Sequence, residues 1–309
     1  MKALKSIGTV IAVLTGALPS LAGEIQVSYL YKLSNFGGVV PFSSPKITID
    51  PIKNEIYVLS GSAVSVFNSA GMEVFRSDYD PEVGVIYDLA VAPQGDIITL
   101  TYRNGRLGLT RNNYRFEPQE TIELGNLPRE YADFHPNQVT CHDGRLILAS
   151  NERMAIVVTD MGGNFVKGYD LVPLLGEDEK GHAITDMSGL SLDAAGNMLF
   201  VLPVAGKACR LSPDGRLDMF GNRGSGPGKF GVPGWVVPDR NGNYLVCDKL
   251  RSMVLIFNKE LRYVKEFGST GVRDAYLAGP SVMALDGEGK LYVGQMAARG
   301  IHVYRIDNG

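Results

Sequence analysis

The chain has 309 residues, of which 45% are hydrophobic, and it contains 37 glycines and 16 prolines. This hydrophobic content is enough for a packed core, and the abundance of glycine and proline is typical of a fold with many short strands and turns. The formal net charge of −3 argues against nonspecific binding to nucleic acid, because such binding depends on an excess of lysine and arginine over acidic residues.

Residues 1–22 have the pattern of a secretory signal peptide. Two lysines precede an apolar run over residues 7–18, and the small residues Ser20 and Ala22 stand where signal peptidase requires them. The run is too short to span a bilayer comfortably. We therefore predict cleavage of this segment, export to the periplasm or beyond the cell, and a single domain over residues 23–309 without a transmembrane segment.

A short turn recurs along the rest of the chain, each time between two apolar runs. The spacings between successive turns are 41, 49, 52, 46 and 47 residues, a size that suits a four-stranded propeller blade. The sequence therefore predicts an all-β, six-bladed β-propeller built from four-stranded antiparallel blades. The turns are marked by Asn54, Gly95, Gly144, Gly196, Gly242 and Gly289.

The amino-terminal strand is predicted to complete the last blade. The sixth unit has its third strand over residues 301–306 and only three residues beyond it, so it lacks a fourth strand. Residues 24–33 alternate between apolar and polar side chains, as the fourth strands of the other units do. Pairing of these two segments would close the ring and leave no open sheet edge.

The fifth unit, from Phe220 to Phe267, resembles an NHL repeat. It has a glycine-rich approach loop followed by four short apolar runs, although Met253 stands where that family usually has an arginine. The resemblance implies a six-bladed propeller of an exported bacterial type that serves as an interaction platform. The matching positions are Gly221, Gly224, Gly226, Pro227, Gly228, Phe230, Pro233, Asp239, Gly242, Asn243, Val246 and Asp248.

Cysteine and histidine usage gives no sign of a cofactor. Cys141, Cys209 and Cys247 show no CxxC, haem-attachment or metal-ligand spacing, so we expect buried free thiols and no cofactor. The histidines are scattered, and three of them are not expected to meet at one zinc ion. No nucleophile-elbow, zinc-protease or phosphate-loop motif occurs. The four histidines are His135, His142, His182 and His302.

One face of the ring is expected to carry the long loops. In a four-stranded blade, the loop between the second and third strands emerges on the same face as the loop that leads to the next blade. The long insertions, over residues 76–85, 118–137, 170–187 and 221–232, all belong to this set. We call this side the long-loop face and expect binding there, because rigid scaffolds carry binding sites in their loops.

Cations mark the long-loop face in five of the six units. Arranged around a ring, they would form a positive rim for an anionic or carboxylate-bearing partner. The alternative is a structural role, in which each cation pairs with an aspartate of its own loop, as Arg251 would with Asp248. Trp235 is the best aromatic candidate, since it starts a first strand near the central channel. The candidate binding residues are Tyr102, Arg103, Arg106, Arg153, Lys207, Trp235, Asp248, Arg251 and Arg299.

Two functions remain open. The first is a monomeric, non-enzymatic propeller that binds or scaffolds a protein, peptide or glycan, with no nucleic-acid partner. The second is a metal-dependent hydrolase or lyase of the six-bladed lactonase type, working in the central channel. The residues for a metal site would be Asp178, His182 and Asp186, but such a run is usually a solvated loop. We therefore predict the binding role.

Overall fold

The computed structural model describes residues 24–42, 44–176, 184, 186–271, 273–296 and 298–308. The predicted signal peptide lies outside this part of the chain. The described residues form six four-stranded antiparallel sheets, which pack against one another as the blades of a propeller. The prediction of an all-β, six-bladed fold is confirmed.

Each blade contains four strands, which follow one another along the chain in blades 1 to 5, while the amino-terminal strand completes blade 6. The first strand of each blade lies nearest the central axis. Blades 1 to 3 comprise Lys46–Ile49, Ile56–Ser60, Ala63–Phe67 and Glu73–Ser77; Val85–Val91, Ile97–Arg103, Arg106–Asn112 and Pro118–Ile122; and Gln138–His142, Arg145–Ser150, Ala155–Asp160 and Phe165–Asp170. Blades 4 to 6 comprise Ser188–Leu192, Met198–Leu202, Lys207–Leu211 and Leu217–Phe220; Pro233–Pro238, Tyr244–Asp248, Met253–Phe257 and Tyr263–Phe267; and Pro280–Leu285, Lys290–Gln295, His302–Asn308 and Ile25–Lys32.

Smaller elements lie in the connections between blades. Two-residue ladders join Ser34–Asn35 to Gly38–Val39 and Asn222–Arg223 to Lys229–Phe230. The helical segments of the described residues are a 3₁₀ turn at Arg129–Tyr131 and an α-helical turn at Val172–Leu175. Among the described residues, no helix has the length and apolarity needed to cross a membrane.

In blades 1, 4, 5 and 6, aspartate side chains hold the turn between the first and second strands. In blade 5, the Asp239 carboxylate accepts hydrogen bonds from the backbone N–H groups of Asn241 and Asn243, at 2.8 and 2.7 Å. Gly242 has a φ of +81°, a conformation that glycine adopts without strain. Asp193 caps the equivalent turn of blade 4 in the same way. These side chain to backbone bonds explain why the repeat is visible in the sequence at its turns.

The amino-terminal strand closes the ring. Ile25–Lys32 runs antiparallel to His302–Asn308, with Tyr29 opposite Tyr304 and Val27 opposite Ile306. Both strands differ from their predicted bounds by only one or two residues at each end. The chain's beginning is therefore the outermost strand of blade 6, as the missing fourth strand of the last unit predicted.

The core lies between neighbouring blades. Leu146 and Leu148 of blade 3 belong to the same buried cluster as Leu100 and Leu109 of blade 2. Burying one such side chain stabilises the fold by roughly 1.5 to 3 kcal/mol. Because every blade buries both of its faces in this way, the stability of the ring depends on contacts between blades rather than within them.

The three cysteines are free thiols, and the prediction that they are buried holds for two of them. Cys209 and Cys247 are buried, and Cys141 is half-buried. Burial raises the pKa of the Cys141 and Cys247 thiols to about 12. Since the thiolate is the nucleophile and the metal ligand, these groups are chemically inert at neutral pH.

A buried histidine begins the third strand of blade 6. His302 is 0% exposed, and neither of its ring nitrogens has a hydrogen-bond partner among the described residues. Burial lowers the pKa of this imidazole to about 4, and the nearby cations Lys32 and Arg299 act in the same direction. The imidazole is therefore neutral in the folded protein at neutral pH.

Deleting residues 24–32 should expose the edge of the His302–Asn308 strand. Loss of the paired strand and of its buried side chains should lower the melting temperature by more than about 10 °C and promote self-association through the open edge. Differential scanning calorimetry and light scattering measure both effects. A chain that lacks only residues 1–23 is the control, and equal melting temperatures for the two proteins would contradict closure by this strand.

His302 should make the fold sensitive to acid. The pKa of His302 is about 4 in the folded protein and 6.5 when the imidazole is exposed to water. Between these pH values the unfolded chain binds a proton that the folded protein does not bind, so the stability falls as the pH drops through this window. When the pH is lowered from 7 to 4.5, the free energy of unfolding should fall further in the parent protein than in His302→Phe, by about 2 to 3 kcal/mol. Urea unfolding at both pH values measures the difference, with the exposed His135→Gln as control. Parallel pH profiles for His302→Phe and the parent would show this account to be wrong.

Candidate functional site

The loops between blades and the loops between second and third strands meet on one face, as predicted. Arg299, in the last such loop of blade 6, donates a 2.6 Å hydrogen bond to the carbonyl oxygen of Gly271 in the preceding inter-blade loop. In blade 2, a Cβ atom at Gly84 would lie 2.6 Å from the carbonyl oxygen of Tyr102. The two sets of loops therefore pack directly against each other.

Arg251 is built into the framework of blade 5. Its guanidinium forms a two-pronged ion pair with Glu266, with Nη2–Oε1 at 2.6 Å and Nη1–Oε2 at 3.0 Å. Nη1 also donates to the carbonyl oxygen of Lys229 at 2.7 Å. The Arg251 and Glu266 side chains are only 12% and 17% exposed. This residue therefore has a structural role, joining a loop to the fourth strand.

The expected ion pair between Asp248 and Arg251 does not form. Asp248 is fully buried, and its carboxylate accepts hydrogen bonds from the backbone N–H groups of Gly231, Val232 and Arg251. The expectation was wrong because these three backbone donors already occupy the buried carboxylate. The guanidinium instead extends outward to the fourth strand.

Three further rim cations are engaged in the same manner. Arg153 Nη2 lies 3.4 Å from the Asp170 carboxylate and from the carbonyl oxygen of Glu130. Lys207 Nζ donates to the carbonyl oxygen of Gly221 at 3.0 Å and to the side chain of Asn222 at 2.6 Å. Arg299 also contacts the loop before its blade, as described above. In four blades, therefore, the rim cation ties an inter-blade loop to the ring.

Blade 2 departs from this arrangement because its second and third strands project above the face. The second strand, Ile97–Arg103, has seven residues, whereas those of the other blades have five or six. The Asn104–Gly105 turn has φ values of +51° and +80°, which suits a tight two-residue hairpin. We call residues 97–112 the blade 2 hairpin. Counted from the turn between the first and second strands, the second strand of blade 2 ends two residues later than the second strands of the other blades.

The tip of the blade 2 hairpin carries two unpaired cations. Arg103 and Arg106 are directly opposite each other in the antiparallel ladder, and both are exposed. Within the part of the chain that the structure describes, neither side chain has an ion-pair or hydrogen-bond partner. These arginines are therefore available to a partner, unlike the four engaged rim cations.

An exposed row of apolar and aromatic side chains crosses the same tip. Tyr102 lies opposite both Val85 and Leu107 in the ladder, and all three are exposed. The Tyr102 ring meets the exposed Tyr87 ring edge-on, with the ring centroids 6.1 Å apart. Arginine and tyrosine together are enriched at binding interfaces, so this tip has the composition of a contact surface.

Trp235 lies at the central channel, as predicted. The first strands of the blades surround a cavity of about 280 Å³, and half-buried Trp235 is part of its wall. A Cβ atom at Gly189 would lie 3.0 Å from the Trp235 ring, and Gly189 has a φ of +72°. Blade 4 thus needs a glycine at this position, and the indole packs across the boundary between blades 4 and 5.

A charged pair in the channel wall was not predicted from the sequence. Lys46 Nζ of blade 1 lies 3.6 Å from the Asp88 carboxylate of blade 2, which also accepts a 2.9 Å hydrogen bond from the Val139 N–H of blade 3. Burial raises the pKa of Asp88, and Lys46 opposes that shift. The available signal was an aspartate inside an otherwise apolar strand. Through its contacts with Lys46 and with the Val139 N–H, Asp88 connects blades 1, 2 and 3.

The predicted metal residues receive no support from the described part of the chain. Asp178 and His182 lie outside it. Asp186 lies within it, and its carboxylate accepts a 2.5 Å hydrogen bond from the Val204 N–H. The described residues contain no group of three histidine, cysteine or acidic side chains placed to hold a metal ion.

Comparisons with known proteins show the fold. No family model and no curated protein matches the chain, so membership of the NHL family is not confirmed. A protein of unknown function from Bacteroides thetaiotaomicron is similar over 92% of this chain and 77% of its own, with a TM-score of 0.66 and 12% identity. An auxiliary nutrient binding protein from Bacteroides ovatus is similar over 92% of this chain and 77% of its own, with a TM-score of 0.62 and 14% identity. Virginiamycin B lyase from Staphylococcus aureus is similar over 92% of this chain and 100% of its own, with a TM-score of 0.59 and 15% identity.

Two arginines of the long-loop face should differ in their effect on stability. Arg251→Ala should lower the free energy of unfolding by about 2 to 3 kcal/mol, since it leaves half-buried Glu266 without its charged partner. Arg103→Ala should change it by less than about 0.5 kcal/mol, because this exposed side chain has no partner to lose. Urea unfolding at pH 7 measures both values. A large loss for Arg103→Ala would reveal a structural role for that residue.

Proposed function

We propose that this protein is an exported, monomeric, non-enzymatic binding module that holds a protein, peptide or glycan on its long-loop face. The signal-peptide pattern of residues 1–22 supports export. The contact surface is the blade 2 hairpin, with Tyr102, Arg103 and Arg106 at its centre. The fold's resemblance to an auxiliary nutrient binding protein is compatible with such a role.

The proposal depends mainly on the contrast between engaged and unpaired cations. Arg153, Lys207, Arg251 and Arg299 donate to carbonyl or carboxylate oxygens of the protein itself. The two arginines of the blade 2 hairpin face each other at the tip, without partners in the described structure. An acidic protein that keeps two unpaired arginines side by side has a surface suited to a carboxylate-bearing partner.

The shape of the hairpin supports the same role. The additional two residues of its second strand extend the tip by about 7 Å at the usual rise per residue. Because side chains alternate along the ladder, Tyr102 and Leu107 share one of its sides, and Arg103 and Arg106 share the other. Because the tip consists of paired strands rather than a free loop, it loses little conformational freedom when a partner binds.

Charge reversal at the hairpin should abolish partner capture. Mature protein comprising residues 23–309 is immobilised and incubated with the native envelope fraction, and captured material is identified by mass spectrometry and glycan analysis. Arg103→Glu combined with Arg106→Glu should reduce recovery of the specific partner at least about tenfold, since reversed charges repel a carboxylate-bearing partner.

The matched control for this experiment is Arg115→Glu. Arg115 belongs to the same blade but lies in the turn between the third and fourth strands, on the opposite face. The Arg115→Glu variant should capture the same amount of partner as the parent protein. Equal capture by the double variant and the parent protein would exclude the blade 2 hairpin as the contact surface.

A further inference from the structure

A cleft lies along the side of the blade 2 hairpin that faces blade 1. Its volume is about 280 Å³. Side chains alternate along a strand, so Thr101 and Arg103 share this side, while Tyr102 points to the other. The loop between blades 1 and 2 forms the opposite wall. The polar side chains of the lining are Glu82, Thr101, Arg103, Arg106, Thr110 and Thr121.

The two arginines of the cleft are in an unfavourable arrangement when nothing is bound. Like charges directly opposite each other in an antiparallel pair destabilise the pairing, and Arg103 and Arg106 are such a pair. A carboxylate placed between two guanidinium groups relieves this repulsion and accepts charge-assisted hydrogen bonds from both. The arrangement is therefore complementary to a single carboxylate.

The remainder of the cleft is suited to hydroxyl groups. The hydroxyl groups of Thr110 and Thr121 have no partner in the described structure, and that of Thr101 makes only a long 3.4 Å bond to the Gly108 carbonyl. A Cβ atom at Gly108 would have its nearest contact at 3.7 Å, with Thr101 Oγ1. Glycine therefore leaves free space beside these hydroxyls. Glu82 adds a carboxylate acceptor at the cleft wall.

The neighbouring loop distinguishes a sugar from an acidic peptide. Residues 78–82 include Asp78, Asp80 and Glu82. Asp78 is paired with Arg76 at 2.7 Å, and Asp80 accepts the Glu82 N–H at 2.8 Å. The Glu82 side chain has no partner in the described structure. A run of glutamates or aspartates has no hydroxyl groups to donate to Glu82, whereas each unit of a uronic acid polymer combines one carboxylate with several hydroxyls that can donate hydrogen bonds to it.

The size of the cleft points to one residue of a polymer. A volume of about 280 Å³ lies just below the usual range for small-molecule sites. The cleft is also open at the hairpin tip, where the exposed Tyr102 and Leu107 offer apolar surface to adjoining units. A chain of sugars can place one unit in the cleft and continue over this surface.

We propose that the cleft binds a uronic acid residue of an acidic polysaccharide. Its carboxylate lies between Arg103 and Arg106, and its ring hydroxyls contact Glu82 and the threonines. This inference rests on the proposed function, since it names the ligand class of the same hairpin.

The test is calorimetric titration of the mature protein with trigalacturonic acid and with trimannuronic acid at low salt. At least one should bind, and its fully methyl-esterified form should bind at least tenfold more weakly because it lacks the carboxylate. Arg106→Gln should weaken binding of the free acid about tenfold, with Arg115→Gln as the matched control. Glu82→Gln should weaken it less, because an amide still accepts a hydrogen bond.

The outcomes separate this inference from the proposed function. Absence of binding of both oligouronates at millimolar concentration would overturn the ligand class. A hexaglutamate peptide that binds as tightly as the oligouronates would also overturn it, in favour of an acidic peptide. In either case, capture from the envelope fraction that depends on Arg103 and Arg106 would leave the hairpin as the contact surface. Equal binding by Arg106→Gln and the parent protein would exclude the cleft itself.

Discussion

The antiparallel pairing of Ile25–Lys32 with His302–Asn308 is the constraint on which the rest of the structure depends. A propeller blade buries both faces against its neighbours, so a ring with a missing strand would expose one blade edge to solvent and to other molecules. Joining the two ends of the chain turns six separate sheets into one closed body. Every loop position on the long-loop face, including the blade 2 hairpin, depends on this closure.

Positive charge on the long-loop face has two uses that the structure separates. Arg251 with Glu266, and Arg153 with Asp170, hold loops to the ring. Such half-buried pairs satisfy backbone carbonyls and carboxylates that would otherwise lack donors. Arg103 and Arg106 hold nothing in the described structure and repel each other across the hairpin. The same residue type in corresponding loops thus serves stability in one place and is left for recognition in another.

The channel and the hairpin differ in their suitability as sites. In the channel wall, the Lys46 and Asp88 charges compensate each other, and Trp235 is packed on Gly189, so these groups are largely occupied by contacts between blades. The cleft beside the hairpin contains arginines without an ion-pair partner in the described structure, and hydroxyls with weak or no partners. Binding energy comes from groups that gain partners in the complex, and this favours the hairpin.

The amino-acid sequence by itself determined the blade count, the strand order and the closing strand. These features are encoded locally, by turn residues such as Asp239 and Gly242 and by the alternation of apolar side chains along each strand. It also placed the cations on one face, but it did not reveal which were engaged. Only the tertiary structure decided that Arg251 pairs with Glu266 rather than Asp248, and that Lys46 meets Asp88. These partners lie 15 and 42 residues apart in the chain, and their meeting depends on how strands and blades pack.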